Sequence, residues 1–313
     1  MSEFNSHKPV MLNEVLSFVD NRKMTYIDMT LGRGGHAYKV LEKLSKGSTF
    51  YGVDRDIEAI NYSKEYLKPF EKIHNLHYLR CKFSKAIEAL RIINLSGADF
   101  ILMDIGVSSP QFDDPSRGFS YRFESRLDMR MDQSQSKTAY DIVNNYSEKE
   151  LIRVFKDLGQ CRIYYPVVKK IIETRVNNPI VTTTQLVDII KDSLPARELR
   201  KVGHPAKQFF LGLRYEVNGE IEELKKGLDD AIKFLNPKGR LVIISFNSEE
   251  DKIVKDCIKK YCQEEKSDKY HPILNANKSN YINLTRKPLV PNMKEVEENN
   301  RSKPAILRAI ERR

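Results

Sequence analysis

Paired cysteine motifs, long apolar runs and a leader-like N-terminus are all missing from this sequence of 313 residues. Its four cysteines form no C-x-x-C pair, so we expect reduced thiols rather than a zinc site or a disulfide framework: Cys81, Cys161, Cys257 and Cys262. Apolar runs such as 241–246 fall far short of the roughly 18 to 20 residues that a membrane-spanning helix needs, so no membrane segment is expected. Because no signal or transit pattern is evident either, we expect a cytoplasmic protein that binds no metal.

The charge balance points to a polyanionic partner. There are 53 lysine and arginine residues against 43 acidic residues, a net charge of +10. Basic residues gather in the tail 301–313 and in the segment 117–130, where arginines alternate with Phe119, Tyr121 and Phe123. Such a mixture is typical of a surface that contacts phosphates and stacks on bases. The alternative is a solvated loop whose arginines form salt bridges with neighbouring acidic residues.

Strand and helix signals alternate over the first hundred residues, which predicts an α/β fold with a parallel sheet. The clearest strand is Ala98–Asp104, a nearly continuous apolar run, as expected for a strand covered on both faces. Asp56 follows an earlier strand and is placed to cap the next helix.

The pattern changes after Gly106. Three helical patterns follow one another between 147 and 193, and then one long amphipathic helix, 205–235, leads into a further strand. We therefore predict a sheet domain made of 1–108 and 206–313, into which a helical domain, 109–205, is inserted.

The strongest local feature is the sequence DMTLGRGGHA, which lies at the end of a predicted strand and opens a helix. Glycines let the backbone approach a ligand closely, and a helix N-terminus presents unsatisfied N–H groups. Gly32, Gly34 and Ala37 satisfy the dinucleotide-binding pattern, and Asp54 is placed to accept hydrogen bonds from both hydroxyls of an adenosine ribose. NAD and S-adenosylmethionine would use these features equally, and a tight turn without a ligand is the remaining alternative.

Charge separates the two cofactors. Asp28 lies four residues before Gly32, where its carboxylate would repel a pyrophosphate and favour a cationic amino-acid group. Asp28 either contacts that ligand directly or orients the loop.

A second constellation, DIGVSSPQ, directly follows the fourth predicted strand. Asp104 should face the same crevice as the glycine loop, because ligands in open α/β sheets lie at the carboxyl ends of strands. The exocyclic amine of a base is a poor nucleophile until acceptors hold its hydrogens, and Asp104 with backbone carbonyls near Ser108 and Ser109 could supply them. Asp104 could instead bind only the amino group of the cofactor. Phe83 either stacks on an adenine ring or belongs to the core.

These motifs, with HKPVMLNEVL, RGFSYR, LDMRMD and NNRSKPAILR, resemble the bacterial ribosomal RNA small-subunit methyltransferase H family, also called MraW. The resemblance covers nearly the whole chain. It implies a Rossmann-like class I methyltransferase sheet with a helical insertion, which methylates N4 of a cytidine in the decoding region of 16S rRNA with S-adenosylmethionine. It places catalysis on Asp104 and cofactor binding on Gly34, Gly35, His36, Asp54, Phe83, Asp104 and Gln111.

The chain departs from the family pattern on the side that would face the substrate. The family typically has a histidine at the position of Asn247, two carboxylates at Gln160 and Cys161, and arginine and glutamine at Gln208 and Leu211. An uncharged Asn247 cannot carry a proton, so a chemical role for the family histidine would be lost here.

Two other functions stay open at the level of sequence. The glycine pattern also suits an NAD-dependent oxidoreductase, and the departures suit a ribosome-binding assembly factor that has lost turnover. The sequence does not decide between free 16S rRNA and the small ribosomal subunit as the partner, nor whether the chain forms a homodimer.

Overall fold

The computed structural model describes residues 9–263 and 279–313, and it divides into two compact units. The sheet unit runs to Gly106 and resumes at Glu222, and the helical unit is Val107–Ile221. His7 and Lys8 of the motif HKPVMLNEVL and most of the polar segment 259–278 lie outside the described residues. In the part of the chain that is described, no helix is long and apolar enough to cross a membrane.

A seven-stranded sheet with the order β3-β2-β1-β4-β5-β7-β6 forms the sheet unit. Its strands are β1 Thr25–Asp28, β2 Thr49–Asp54, β3 Asn75–Arg80, β4 Ala98–Asp104, β5 Leu235–Ser245, β6 Tyr281–Asn283 and β7 Ile306–Arg312. Strands β1 to β5 pair in parallel, whereas β7 pairs antiparallel with both β5 and β6. This order confirms the predicted Rossmann-like fold and places the reversal of strand order between β1 and β4.

Helices accompany this sheet: α1 Leu12–Ser17, α2 Gly35–Lys43, α3 Ile57–Leu67, α4 Phe83–Ile92, α12 Glu220–Lys233, α13 Ser248–Cys262 and α14 Met293–Glu298. Strand β4 is buried on both sides, because Phe100 and Leu102 pack into one apolar layer while Ile101 and Met103 pack into the other. Asp56 caps α3 as predicted, and its side chain accepts the N–H of Glu58.

The basic tail is not a free arm. Its residues form β7, and Leu307, Ala309 and Ile310 are buried in the sheet. Arg308 donates to both carboxylate oxygens of Asp251. The expectation that 301–313 forms part of a polyanion-binding surface is therefore wrong for β7, because the apolar residues between its charged residues are buried in the core.

The helical unit contains α5 Ser109–Asp113, α6 Ala139–Asn145, α7 Glu148–Ile152, α8 Tyr165–Asn177, α9 Thr183–Ser193, α10 Ala196–Leu199 and α11 Lys207–Asn218. A π-helical stretch, Arg153–Leu158, continues α7. The single long helix predicted over 205–235 is instead two helices, because Gly219 adopts a left-handed conformation, φ +64°, and ends α11.

Helix α11 packs within the helical unit. Phe209, Phe210 and Leu213 belong to its apolar core, so the residues after 206 that the sequence assigned to the sheet domain extend the insertion instead.

Candidate active site

The glycine loop joins β1 to α2 and requires glycine at two positions. Gly32 and Gly34 have φ values of +51° and +74°, a region that other residues rarely adopt. A Cβ on Gly34 would lie 3.1 Å from Ser63 Oγ and 3.4 Å from Leu67 Cδ1. Ser63 Oγ in turn donates to the carbonyl of Gly32 at 2.8 Å. The loop is thus held close to α3, with its own backbone facing the strand ends.

Asp54 ties the end of β2 to this loop. Its Oδ2 accepts the N–H of Gly32 at 2.8 Å, and its Oδ1 accepts the N–H of Asp56 at 2.9 Å. Burial raises the pKa of Asp54 despite these hydrogen bonds. Each oxygen keeps a further lone pair, so the geometry is compatible with additional donors such as ribose hydroxyls.

Asp28 holds the start of the glycine loop through its carboxylate. Its carboxylate accepts the N–H of Thr30 at 3.1 Å and the hydroxyl of Tyr26 at 3.0 Å, and the residue is buried. Burial raises the pKa of Asp28 to about 6, although the nearby His36 and these hydrogen bonds lower it. Of the two roles considered for Asp28, the geometry favours loop orientation.

Asp104 ends β4 beside the loop. Its N–H donates to Thr30 Oγ1 at 2.6 Å, which joins the ends of β1 and β4 at the point where the strand order reverses. Its Oδ1 is buried and has no hydrogen-bond partner among the described residues. Burial, and then the negative charge of Glu250, raise the pKa of Asp104 to about 7. A buried acceptor without a donor is unfavourable unless a ligand supplies one.

His36, near the start of α2, faces Asp104. Its Nδ1 lies 3.6 Å from Asp104 Oδ2, and its Nε2 contacts the carbonyl of Val10 at 2.9 Å. Burial lowers the pKa of His36, so the ring is neutral near pH 7. The sequence analysis named His36 only among the cofactor-binding residues that the resemblance implies, and did not anticipate its contact with Asp104. Its neighbour Gly35 lies against Pro9, whose Cγ would be 2.9 Å from an added Cβ.

Phe83 opens α4 and is half-buried. Its ring packs against Gly227 of α12, where an added Cβ would come within 2.5 Å of Phe83 Cδ2. The sequence left open whether Phe83 stacks on a ligand or packs in the core. In the structure, one side of the Phe83 ring packs against α12 and the rest of the ring is partly accessible.

Gln111 lies in the helical unit, on α5, where it is buried and its Oε1 accepts the N–H of Ser108 at 3.1 Å. A cofactor contact by Gln111 stays a prediction, as do acceptor roles for the carbonyls near Ser108 and Ser109. The departures Gln160 and Cys161 lie in the same unit: Gln160 has a φ of +53°, and Cys161 is buried, which raises the pKa of its thiol to about 12.

Asn247 caps α13, because its Oδ1 accepts the N–H groups of Glu249 and Glu250. Glu250 is buried, and its Oε2 accepts the N–H of Phe246 at 2.9 Å. The sequence analysis missed Glu250 as the carboxylate that acts on Asp104. Its position three residues after an N-cap was the available signal.

The basic and aromatic segment 117–130 divides into two kinds of residue. Arg117 is only 5% exposed and donates to the carbonyls of Arg130 and Met131, and Arg130 pairs with Asp128 at 2.7 Å. The salt-bridged alternative therefore holds for Arg130, whereas Arg117 is buried and donates to backbone carbonyls, which neither expectation described.

Other members of the segment are available at the surface of the helical unit. Arg122 is exposed, as is Phe123, and Tyr121 stacks on His204 with ring centroids 4.3 Å apart. Burial, and then the charges of Lys191 and Arg122, lower the pKa of His204.

No group of three or more histidine, cysteine or acidic side chains within 9–263 and 279–313 is arranged to hold a metal ion.

Comparison with known proteins identifies relatives over the full length. A sequence model of the MraW methylase family matches residues 4–313. A ribosomal RNA small subunit methyltransferase H of Caldicellulosiruptor saccharolyticus is 42% identical over 308 residues, covering 98% of this chain and 99% of its own. Its namesake in Lactobacillus gasseri is 44% identical over 314 residues, covering 98% of each chain. Among solved structures, a putative rRNA-methylase from Clostridium thermocellum aligns with a TM-score of 0.45 at 10% identity, covering 98% of this chain and 100% of its own.

Proposed function

This chain belongs to the MraW methylase family, and we propose that it transfers a methyl group from S-adenosylmethionine to N4 of a cytidine in the decoding region of 16S rRNA. The observation that carries the proposal is the set of carboxyl groups at the ends of three adjacent strands. Asp28, Asp54 and Asp104 end β1, β2 and β4 around a loop whose backbone approaches them closely. Such a crevice favours a cationic ligand and disfavours the pyrophosphate of NAD.

The residues of the sheet unit fit S-adenosylmethionine. Gly34 and Gly35 present backbone to the ligand, Asp54 accepts from the ribose hydroxyls and Phe83 stacks on the adenine. His36 contributes through its backbone, and Gln111 is a further proposed cofactor-binding residue. When bound, the cofactor supplies an electrophilic methyl carbon on a positively charged sulfur.

Asp104 performs the decisive task on the substrate. Its unpaired Oδ1 accepts a hydrogen of the cytidine amine, which keeps the nitrogen lone pair directed at the methyl carbon. The target base must leave its stack to reach this position. The bound cofactor would supply the methyl carbon to N4, with the electron pair of the sulfur–carbon bond remaining on sulfur, and N4 would then lose one proton.

The helical unit supplies the RNA-binding surface in this proposal. Arg122 offers a charge to the phosphates, and Phe123 and the stacked pair of Tyr121 and His204 offer faces on which bases stack. Raising the salt concentration should therefore weaken RNA binding much more than cofactor binding.

We further propose that the partner is 16S rRNA, free or within the small ribosomal subunit, and that the protein acts in the cytoplasm. A homodimer is one assembly to test, by light scattering during size-exclusion chromatography.

The direct experiment supplies the purified protein with labelled S-adenosylmethionine and either 16S rRNA or immature 30S particles. Label should appear on N4 of a decoding-region cytidine, and Asp104→Ala should abolish it. Unlabelled RNA would refute the proposal, and particle and cofactor binding without methylation would indicate an assembly factor. Stabilisation by NADH rather than by S-adenosylhomocysteine in a melting experiment would instead support an oxidoreductase.

A further inference from the structure

The side chain of His36 is not needed for a backbone contact to the cofactor, yet it is buried between Val10 and Asp104. We propose that His36 is a positioning residue for methyl transfer, which shares with Asp104 the proton released by the amine. The inference rests on the proposed function, because it concerns the proton that this reaction must dispose of.

The hydrogen bond to Val10 fixes which ring nitrogen carries the hydrogen. A carbonyl oxygen only accepts, so Nε2 of His36 must be the donor at 2.9 Å. In the neutral ring, Nδ1 is therefore a bare acceptor. It is this acceptor that faces Asp104 Oδ2.

The distance between Nδ1 and Oδ2, 3.6 Å, exceeds that of a hydrogen bond. An ionised Asp104 and a bare Nδ1 have no hydrogen between them, so they do not attract one another. One added proton on either atom creates a donor facing an acceptor, and the pair can then close to a charge-assisted hydrogen bond. The geometry thus provides one vacant place for a proton, beside the oxygen that would hold the amine.

The surrounding charges favour uptake of that proton. The charge of Glu250 on α13 raises the pKa of Asp104, and the charges of Asp28 at the end of β1 and of Glu295 on α14 raise that of His36. Glu295 also accepts the N–H of Met11 at 2.6 Å, which holds the segment carrying the Val10 carbonyl. The pKa of Asp104, raised to about 7 by burial and by Glu250, is consistent with a carboxyl that gains a proton readily.

The step balances without a further reactant. After N4 has gained the methyl group, its surplus proton passes to Oδ1 of Asp104, the oxygen that holds the amine. Half a turn of the carboxyl about its Cβ–Cγ bond then places the protonated oxygen opposite Nδ1 of His36, which accepts a hydrogen bond from it. The neutral methylated amine leaves, and the proton returns to solvent before the next turnover.

His74 provides a matched control. It is also a buried histidine of the sheet unit whose Nε2 contacts a backbone carbonyl, that of Leu41 at 3.1 Å, and burial lowers its pKa too. Its buried Nδ1 has no hydrogen-bond partner in the described part of the chain, so it offers the same kind of ring without a facing carboxylate.

The experiment compares His36→Phe, His36→Gln and His74→Phe in methylation assays from pH 5.5 to 9. We expect His36→Phe to lower kcat about tenfold, a small part of the 10²- to 10⁴-fold that general base catalysis contributes, with KM for S-adenosylmethionine within about twofold. The acidic limb of its profile should move to lower pH, because the protonated carboxyl loses its acceptor. His36→Gln, which keeps a donor and an acceptor, should recover part of kcat, and His74→Phe should leave the limb unmoved.

An unchanged acidic limb in His36→Phe, or a shift of the same size in His74→Phe, would overturn the inference. A second measurement needs no RNA: the Nδ1 resonance of His36 in the apo protein should titrate with Asp104 and stop doing so in Asp104→Asn. That titration without rRNA methylation would refute the proposed function but support the pair. Methylation with a resonance insensitive to Asp104→Asn would refute the pair alone.

Discussion

Asp104→Asn should stabilise the apo protein at alkaline pH while destroying its activity. The carboxyl is buried beside Glu250, with Oδ1 unpartnered in the part of the chain described, so its ionised form is unfavourable in the folded state. Its pKa rises from 3.8 to about 7 on folding. Folding therefore favours the protonated carboxyl, and this contribution to stability is complete below about pH 4 and is lost as the pH rises through 7.

The size of the effect follows from that shift. A rise of about three units, at roughly 1.4 kcal/mol each, corresponds to at most about 4 kcal/mol between acidic and alkaline pH. The side chain remains 26% exposed, and water reaching it reduces the expected gain to about 2 kcal/mol. An asparagine does not ionise, so the free energy of unfolding of Asp104→Asn should exceed that of the wild type by about 2 kcal/mol at pH 8 and by less than half as much at pH 5, and should match it only below about pH 4.

Urea unfolding of the apo proteins at the two pH values measures this difference. Circular dichroism is the suitable signal, because the chain has no tryptophan. Asp229→Asn is a control of opposite sign in the sheet unit: although burial raises the pKa of Asp229, hydrogen bonds from Lys233 and Tyr261 lower it overall. That variant should lose stability at pH 8. An equal effect of Asp104→Asn at pH 5 and pH 8 would refute the reasoning about its buried charge.

Three further predictions concern ligands. Gly34→Ala should weaken S-adenosylmethionine binding at least tenfold in calorimetry, because the loop is crowded at Gly34. Gly219 is the control: it also has a positive φ but open space around it, so Gly219→Ala should leave the affinity within twofold. Gly227→Ala should displace the Phe83 ring and raise the Kd for the cofactor severalfold without changing the response to salt; an unchanged Kd would argue against adenine stacking on Phe83. Arg122→Ala should lower the slope of log K for RNA against log salt by about one, and an unaltered slope would remove this residue from the RNA surface.

The sequence was sufficient where local chemistry decides the structure. The apolar run Ala98–Asp104 predicted a buried strand, and the glycine loop was predicted at the end of a strand that leads into a helix. Strand β4 is buried, and the loop joins β1 to α2. Asp54 and Asp104 lie at strand ends, as the α/β pattern requires. In each case the residue pattern within a few positions carries the information, and the rule of parallel sheets places the ends together.

Non-local pairing was beyond reach of the same reasoning. Strand β7 pairs with β5, whose residues lie more than sixty positions earlier in the chain, and the charged residues of β7 obscured the alternation of its apolar residues. The contact of His36 with Asp104 joins positions on different elements, and nothing local to either residue indicates it. The sequence shows Gly219, but a glycine inside a helical pattern does not decide whether the helix continues through it or ends there.

The carboxyl groups of the acidic crevice are unfavourable for the stability of the empty protein, and ligand binding explains why they are present. The charge of Asp104 raises the pKa of the buried Asp28, and the charge of the buried Glu250 raises the pKa of Asp104, so a protein selected for stability alone would gain from replacing these carboxyls. A ligand with a positive sulfur and an ammonium group offsets that repulsion only while it is bound. Under the proposed function, the carboxyls that weaken the empty site should also increase its preference for the charged methyl donor over the product, which has lost the charge on sulfur. The instability of the crevice and its selectivity for the donor have a single electrostatic origin.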